Sequence, residues 1–269
     1  MRLRHVCAYG FGVAAVAAMA ACGGGEKPAP ASSAPAAASS SGGSAQVDAA
    51  TAGSVTGTIT VDGPVPANAD IKMNADPVCA KSVTTPQKME TYMVGPDGKS
   101  LGNVFVYVKE GLEGRTFEAP ATAITIDQKE CRYHPHVFGI QVGQPLEILN
   151  SDPTLHNIHA VAKNNREFNN GQPIQNMKTT HTFTAPEVMV PFKCDVHGWM
   201  NAFVGVLPHP YFAVSDASGG FSLKNLPPGT YTIEAWHEKL GTMTQSVTVG
   251  EKETKTISFT FKAPAPAAD

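Results

Sequence analysis

From about residue 53 to 262 the chain is a succession of short runs rich in β-branched and aromatic residues, separated by Gly, Pro, Asn and Asp. Val55–Val61 alternates apolar and polar before the turn Asp62-Gly63-Pro64, and Val104–Lys109 follows the turn Pro96-Asp97-Gly98. Similar runs fall at 123–126, 137–142, 146–149, 180–184, 188–194, 203–207, 221–223, 230–236, 245–249 and 256–261. A two-residue period interrupted by turn formers marks strands that bury one face. No stretch keeps a 3.6-residue period for long, although 163–178 has room for a short helix. Strands this short and closely spaced pack as sandwiches or barrels, so the expected fold class is all-β. At 269 residues the chain can hold one or two such domains.

The N-terminal segment has a different physics. Arg2 and Arg4 precede an apolar run, Tyr9 to Ala18, which is too short to span a bilayer. Small residues then lead into Cys22, and Met19-Ala20-Ala21-Cys22 resembles a bacterial lipoprotein processing box. The expectation is a signal peptide at 1–21 and lipidation at Cys22, which would place the mature chain in the periplasm or at the outer membrane or cell surface. An ordinary secretory peptide with an incidental Cys is the alternative. Residues 22–52 are almost wholly Gly, Ala, Pro and Ser and lack the apolar surface to offset ordering entropy, so they read as a disordered linker. Such a tether reaches about 30 Å. Residues 263–269 form a tail. With 20 Lys+Arg against 23 Asp+Glu and no basic stripe, the sequence does not point to nucleic acid as a partner.

Chemistry concentrates in Cys194-Asp195-Val196-His197-Gly198-Trp199-Met200, which spaces a thiol, an imidazole and a thioether as Cys-x2-His-x2-Met. Soft thiolate, neutral imidazole and a weak axial thioether suit copper cycling between two oxidation states. Structural zinc rarely uses Met, and a catalytic Cys-His pair would need an oxyanion donor set that no motif supplies. Packing of a buried Cys, His and Met is the non-metal alternative. A copper centre needs a second imidazole. His156 offers one, just past the turn Asn150-Ser151-Asp152-Pro153 at the head of a strand-like run.

These two segments together resemble the cupredoxins, most closely the amicyanin type. The shared features are the compact Cys-x2-His-x2-Met loop, the segment His156-Asn157-Ile158-His159, and the preceding turn Val142-Gly143-Gln144-Pro145. The resemblance covers residues 122–208 and implies a Greek-key sandwich. It implies one type 1 copper ion held by His156, Cys194, His197 and Met200, with Asn157 tying the His segment to the ligand loop. It further implies that His197 is the ligand nearest solvent and the electron port, and that the work is one-electron transfer with a partner such as a c-type cytochrome or a dehydrogenase. Neither an open metal position nor an acid–base group is evident, so no enzyme is expected. A copper-delivery protein and a non-redox envelope lipoprotein are the alternatives. The chain departs from the pattern at Asp195, where a hydroxyl residue is usual; an uncompensated carboxylate there would favour oxidised copper. Pro191 removes a ladder donor from the strand leading to Cys194.

Of the remaining cysteines, Cys79 and Cys131 form an even pair in an exported protein, a candidate disulfide. Reduced or separately metal-bound thiols are the other readings. Cys131-Arg132-Tyr133-His134-Pro135-His136 holds donors for a second metal, or surface histidines beside a disulfide. His159 should face away from His156 in a regular strand, and only a bulge would bring it to the metal. His181, His209 and His237 lack ligand spacing. Trp199 is either a cap over the metal or part of a docking patch.

Beyond residue 209, strand, Pro-Gly turn and strand recur: Phe221–Leu223, Lys224-Asn-Leu-Pro-Pro-Gly229, Thr230–Trp236. This resembles the carboxypeptidase regulatory-like, transthyretin-type β-sandwich. Its usual opening strand and Gly-Pro turn are matched far upstream, at Gly57–Val61 and Asp62-Gly63-Pro64. The expected organisation is an accessory sandwich split into 53–118 and 209–262, with the cupredoxin-like domain at 119–208 inserted. A tandem with 53–208 as one enlarged domain is the alternative.

Overall fold

The computed structural model describes residues 47–265. The expected signal peptide, the lipidation site Cys22, most of the linker and the last tail residues lie outside the described residues. The fold starts earlier than composition indicates. Val47, assigned above to the disordered linker, packs on the first core, and Thr51 O accepts a hydrogen bond from Lys252 N at 3.1 Å. The turn that precedes the first strand is also closed by Asp48, whose backbone O accepts from Thr51 N and Ala52 N, each at 3.0 Å.

The chain opens with β1 (Gly53–Asp62), a six-residue helix α1 (Pro77–Ser82), β2 (Met93–Val94), β3 (Leu101–Gly102) and β4 (Phe105–Glu110). It continues through β5 (Ile124–Lys129), β6 (Arg132–His134), β7 (Val137–Gln141), β8 (Pro145–Asn150), β9 (His156–Ala160), β10 (Phe168–Gln172), β11 (Lys178–Thr182), β12 (Glu187–Lys193) and β13 (Asn201–Leu207). It ends with β14 (Phe212–Val214), β15 (Gly220–Leu226), β16 (Gly229–His237), β17 (Gly241–Val249) and β18 (Thr254–Lys262). The fold is all-β, as its alternating runs require.

β1 lies between strands from the far end of the chain, antiparallel to β15 and parallel to β18. Its Val55, Ile59 and Val61 point inward, while the threonines between them line the outer face, where Thr60 meets Thr260 at 2.9 Å. The facing sheet runs β14-β4-β16-β17. One core, with Val106, Val108, Ile233 and Phe259 among its members, is therefore built from both ends of the chain.

Residues 124–207 form a second sandwich of sheets β10-β9-β12-β13-β7 and β11-β8-β5-β6. β8 shows the pattern cleanly, with Leu146 and Ile148 buried in the core and the residues between them half-buried. The short helix that 163–178 could have held is absent. The backbone N–H groups of Lys163, Asn164 and Asn165 go to the Glu187 carboxylate, and β10 pairs with β9, which commits Phe168–Gln172 to a sheet.

β4 explains its own unbroken apolar run. Val106 and Val108 enter the first core, while Phe105 and Tyr107, on the opposite face, pack against Val137, Met189 and Leu207 of the second sandwich. A strand buried on both faces carries no alternation. The Phe105 ring rests on Gly139 and Gly205, which are paired across β7 and β13. The missing side chains of these two glycines make the socket that joins the sandwiches.

Candidate metal centre

The loop after β12 is closed by two backbone bonds that both use Met200. Met200 N donates to His197 O at 2.9 Å and Cys194 N donates to Met200 O at 3.2 Å. The His197 N–H also points to Cys194 Sγ, at 3.3 Å. Seven residues are thus folded into a tight turn that buries Cys194, His197 and Met200 together, with exposures of 2%, 3% and 1%. His156, at the head of β9, is wholly buried against this turn. Donor atoms of His156, Cys194 and His197 all lie within 4.8 Å of one another. Met200 joins the same core cluster as Cys194.

The outer edges of both imidazoles meet carboxylates. His156 Nε2 lies 2.9 Å from Asp152 Oδ2, and His197 Nε2 lies 3.0 Å from Asp76 Oδ2. Ionised carboxylates only accept, so each ring carries its hydrogen on Nε2 and turns an Nδ1 lone pair inward. The two Nδ1 atoms are 2.9 Å apart, with Cys194 Sγ 3.9 Å from that of His197. Two lone pairs at that separation repel unless a proton or a cation stands between them. Two imidazoles and a thiolate, buried and converging, fit copper on donor chemistry.

Burial by itself would push the Cys194 thiol up. Hydrogen bonds donated by His156 and His197 in their protonated form outweigh it and bring the thiol down to about 6. Burial likewise opposes charge on His156, but Asp152 and Cys194 together hold its pKa above the ordinary imidazole value. Asn157 ties the two segments: its Oδ1 accepts from Asp195 N at 2.7 Å and from Cys194 Sγ at 3.2 Å. Asp195 itself turns outward. Its carboxylate bonds His159 Nδ1 at 2.9 Å, Asn169 Nδ2 at 2.7 Å and Lys193 Nζ at 3.1 Å, and these partners hold it at about 2. The negative charge beside the thiolate is therefore compensated.

His197 is the least buried of the four side chains, at 3% exposure, but it is not open to solvent. Its outer edge is covered by α1 and its leading Asp76, by Cys79, whose Sγ is 3.6 Å from Nε2, and by the Trp199 ring at 5.1 Å. Trp199 is fixed by a bond from its Nε1 to Cys131 O at 2.9 Å. Cys79 and Cys131 are joined by a disulfide, and with Met73 they form a small separate core above the centre. Nor do Cys131, His134 and His136 gather as a second site: His136 bonds Glu238 at 2.7 Å and Asn201 O at 3.1 Å. His159 lies outside the donor cluster, with Glu167 at 2.6 Å on its other nitrogen.

Asp76 and Asp152 escaped the reading of the sequence. Asp76-Pro77 carries a usable signal, since Asp followed by Pro marks a helix start. Here Asp76 Oδ1 accepts from Val78 N and Cys79 N, at 2.7 and 3.2 Å. That the same carboxylate also faces His197, far along the chain, is a tertiary fact.

Two β-sandwiches, one of them carrying a buried Cys-His-His donor set, define the class of protein. Residues 201–262 match the family model of the carboxypeptidase regulatory-like domain. The first residues of that match form β13, which pairs with β12 and β7 in the second sandwich. Among solved structures, the chain is similar to a purple cupredoxin from Nitrosopumilus maritimus at 22% identity, over 30% of this chain and 97% of that one, with a TM-score of 0.27. It is similar to an amicyanin variant in the oxidised state at 25% identity, over 33% and 86%, with a TM-score of 0.29. It is also similar to a Cu-containing nitrite reductase from Thermus scotoductus at 16% identity and a TM-score of 0.31; 57% of this chain aligns, spanning only 28% of the reductase. No curated protein sequence matches the chain.

Proposed function

We propose that this chain is an exported, lipid-anchored copper protein that carries single electrons. The observation that supports this most directly is the pair of inward-facing Nδ1 atoms 2.9 Å apart beside a buried thiol held at about 6. His156, Cys194 and His197 would hold the ion, with Met200 as the weak axial donor. Bound there, copper would supply one-electron chemistry. The chain's own part is to keep geometry constant: the loop is closed on itself, both imidazoles are pinned at Nε2, and Asn157 Oδ1 holds the ligand loop through Asp195 N. A pocket this rigid changes little between charge states, so little reorganisation opposes transfer. Water is excluded by the burial of all four side chains. The accessory sandwich is read as non-catalytic, and Cys22 as the anchor that keeps the domain near a membrane where a cytochrome or dehydrogenase could meet it.

Adding Cu(II) to the purified mature chain tests this. An intense blue colour with narrow copper hyperfine splitting, lost in Cys194→Ala, is the expected result. A colourless complex that yields copper to a weak chelator would replace the carrier with a delivery protein. No binding would leave a structural lipoprotein.

A further inference from the structure

Each imidazole of the centre is held from outside by the same three-part arrangement. His197 Nε2 bonds the Asp76 carboxylate, which accepts from the backbone N–H of Cys79 at 3.2 Å. His156 Nε2 bonds the Asp152 carboxylate, which accepts from the backbone N–H of Cys131 at 2.8 Å. Cys79 and Cys131 are then bonded to each other, across a sequence separation of 52 residues. Without that link, Asp76 would sit on a six-residue helix at the end of a coil segment, and a helix this short is not stable by itself. The further bond from Thr154 to Asp76 Oδ2, at 3.1 Å, comes from the turn that carries Asp152.

We propose that Asp76, Asp152 and the Cys79–Cys131 disulfide form a clamp that sets the tautomer of both histidines and seals the metal against exchange. The proposal rests on the copper reading above. Asp76 and Asp152 are positioning residues: they touch the ligands' outer nitrogens and not the metal. The disulfide makes two distant carboxylates one rigid unit, so both inner nitrogens stay aimed inward whether a proton or a cation stands between them. Removing an outer partner of a metal-bound histidine costs roughly 10–100-fold in metal affinity.

Asp76→Asn is the sharpest probe, because asparagine caps helices as well as aspartate does. Two backbone N–H groups, those of Val78 and Cys79, require the oxygen of residue 76. The amide nitrogen is then left facing His197 Nε2 as a donor, which drives the ring hydrogen to Nδ1, where the metal should bind. In the metal-free full mature chain, nitrogen-correlated NMR should show His197 with its hydrogen on Nε2 in the parent and on Nδ1 in Asp76→Asn. In the Cu(II)-loaded chain, Asp76→Asn and the double variant Cys79→Ser/Cys131→Ser should each lose copper to a chelator at least tenfold faster, with thermal unfolding of the metal-free Asp76→Asn chain unchanged. Asp76→Glu should restore both the tautomer and slow release. An unchanged tautomer together with release within twofold of the parent would overturn the clamp while leaving the copper site standing. A parent chain that binds no copper would overturn both, and the NMR result separates the two failures.

Discussion

The two sandwiches meet on a socket made of absence. A Cβ built on Gly205 would lie 2.3 Å from Phe105 Cζ and 2.4 Å from Cε1, and one on Gly139 would lie 2.3 Å from the Phe212 ring. Carbon atoms in contact sit roughly 3.5–4.0 Å apart. In Gly205→Ala the Phe105 ring must therefore retreat by more than about an ångström. It has nowhere to go: it is wholly buried and stacks on Phe212 at 5.8 Å, with Tyr107 at 5.6 Å. Overpacking of this kind costs about 1–3 kcal/mol, and a domain of this size loses about 2–4 °C in Tm per kcal/mol. The expected drop for Gly205→Ala is roughly 2–12 °C by calorimetry, with the first and second sandwiches losing their common transition. Gly171→Ala is the control, since a Cβ there meets nothing within 4 Å, and it should match or slightly exceed the parent, by up to about 1 kcal/mol. If Gly205→Ala were as stable as Gly171→Ala, the glycine socket would not be what couples the domains.

Two further outcomes follow from the charges. In the metal-free chain, the Cys194 thiol should titrate with a midpoint of about 6 against an ordinary 9.0, because its hydrogen bonds with His156 and His197 outweigh burial; thiolate absorbance, taken as a difference against Cys194→Ala, reads this, and His156→Ala should move the midpoint up. A midpoint that stays near the ordinary value would refute it. His209 and His237 are both pushed down to about 4 by burial from 6.5, so both are neutral when folded at neutral pH. The unfolded chain takes up these protons first, so the stability each contributes is complete above about pH 6.5 and is lost as pH falls toward about 4, a swing of about 3 kcal/mol apiece. Urea unfolding across that range should show the loss, and His209→Gln should remove its share; a flat profile would contradict the burial of both rings as neutral groups.

Some of this architecture is written locally. Alternation in Val55–Val61 and Leu146–Leu149 reports strands with one buried face, because side chains on a strand alternate. The loop Cys194–Met200 carries its donors within one turn, so spacing alone brings them near each other. His156 was legible through its place after a turn at the head of a strand. Other features were not. The run Val104–Val108 looks like any apolar strand, and only the docked second sandwich shows that Phe105 and Tyr107 face a different core from Val106 and Val108. Glu187 gives no local sign that it gathers the N–H groups of Lys163, Asn164 and Asn165.

What the sequence determined by itself is what short-range periodicity and spacing can encode: an all-β fold, and a loop whose residue types suit a soft metal. Tertiary structure decided the environment of that loop. The burial of His197, the bonding of Asp195 to His159, and the closing of Asp76 over His197 through Cys79–Cys131 all join residues from distant parts of the chain. The physical reason is one of range. A strand's pleat and a seven-residue turn are set by neighbours, whereas a hydrogen bond between Asp76 and His197 exists only after two sheets, a helix and a disulfide have brought together residues 121 positions apart.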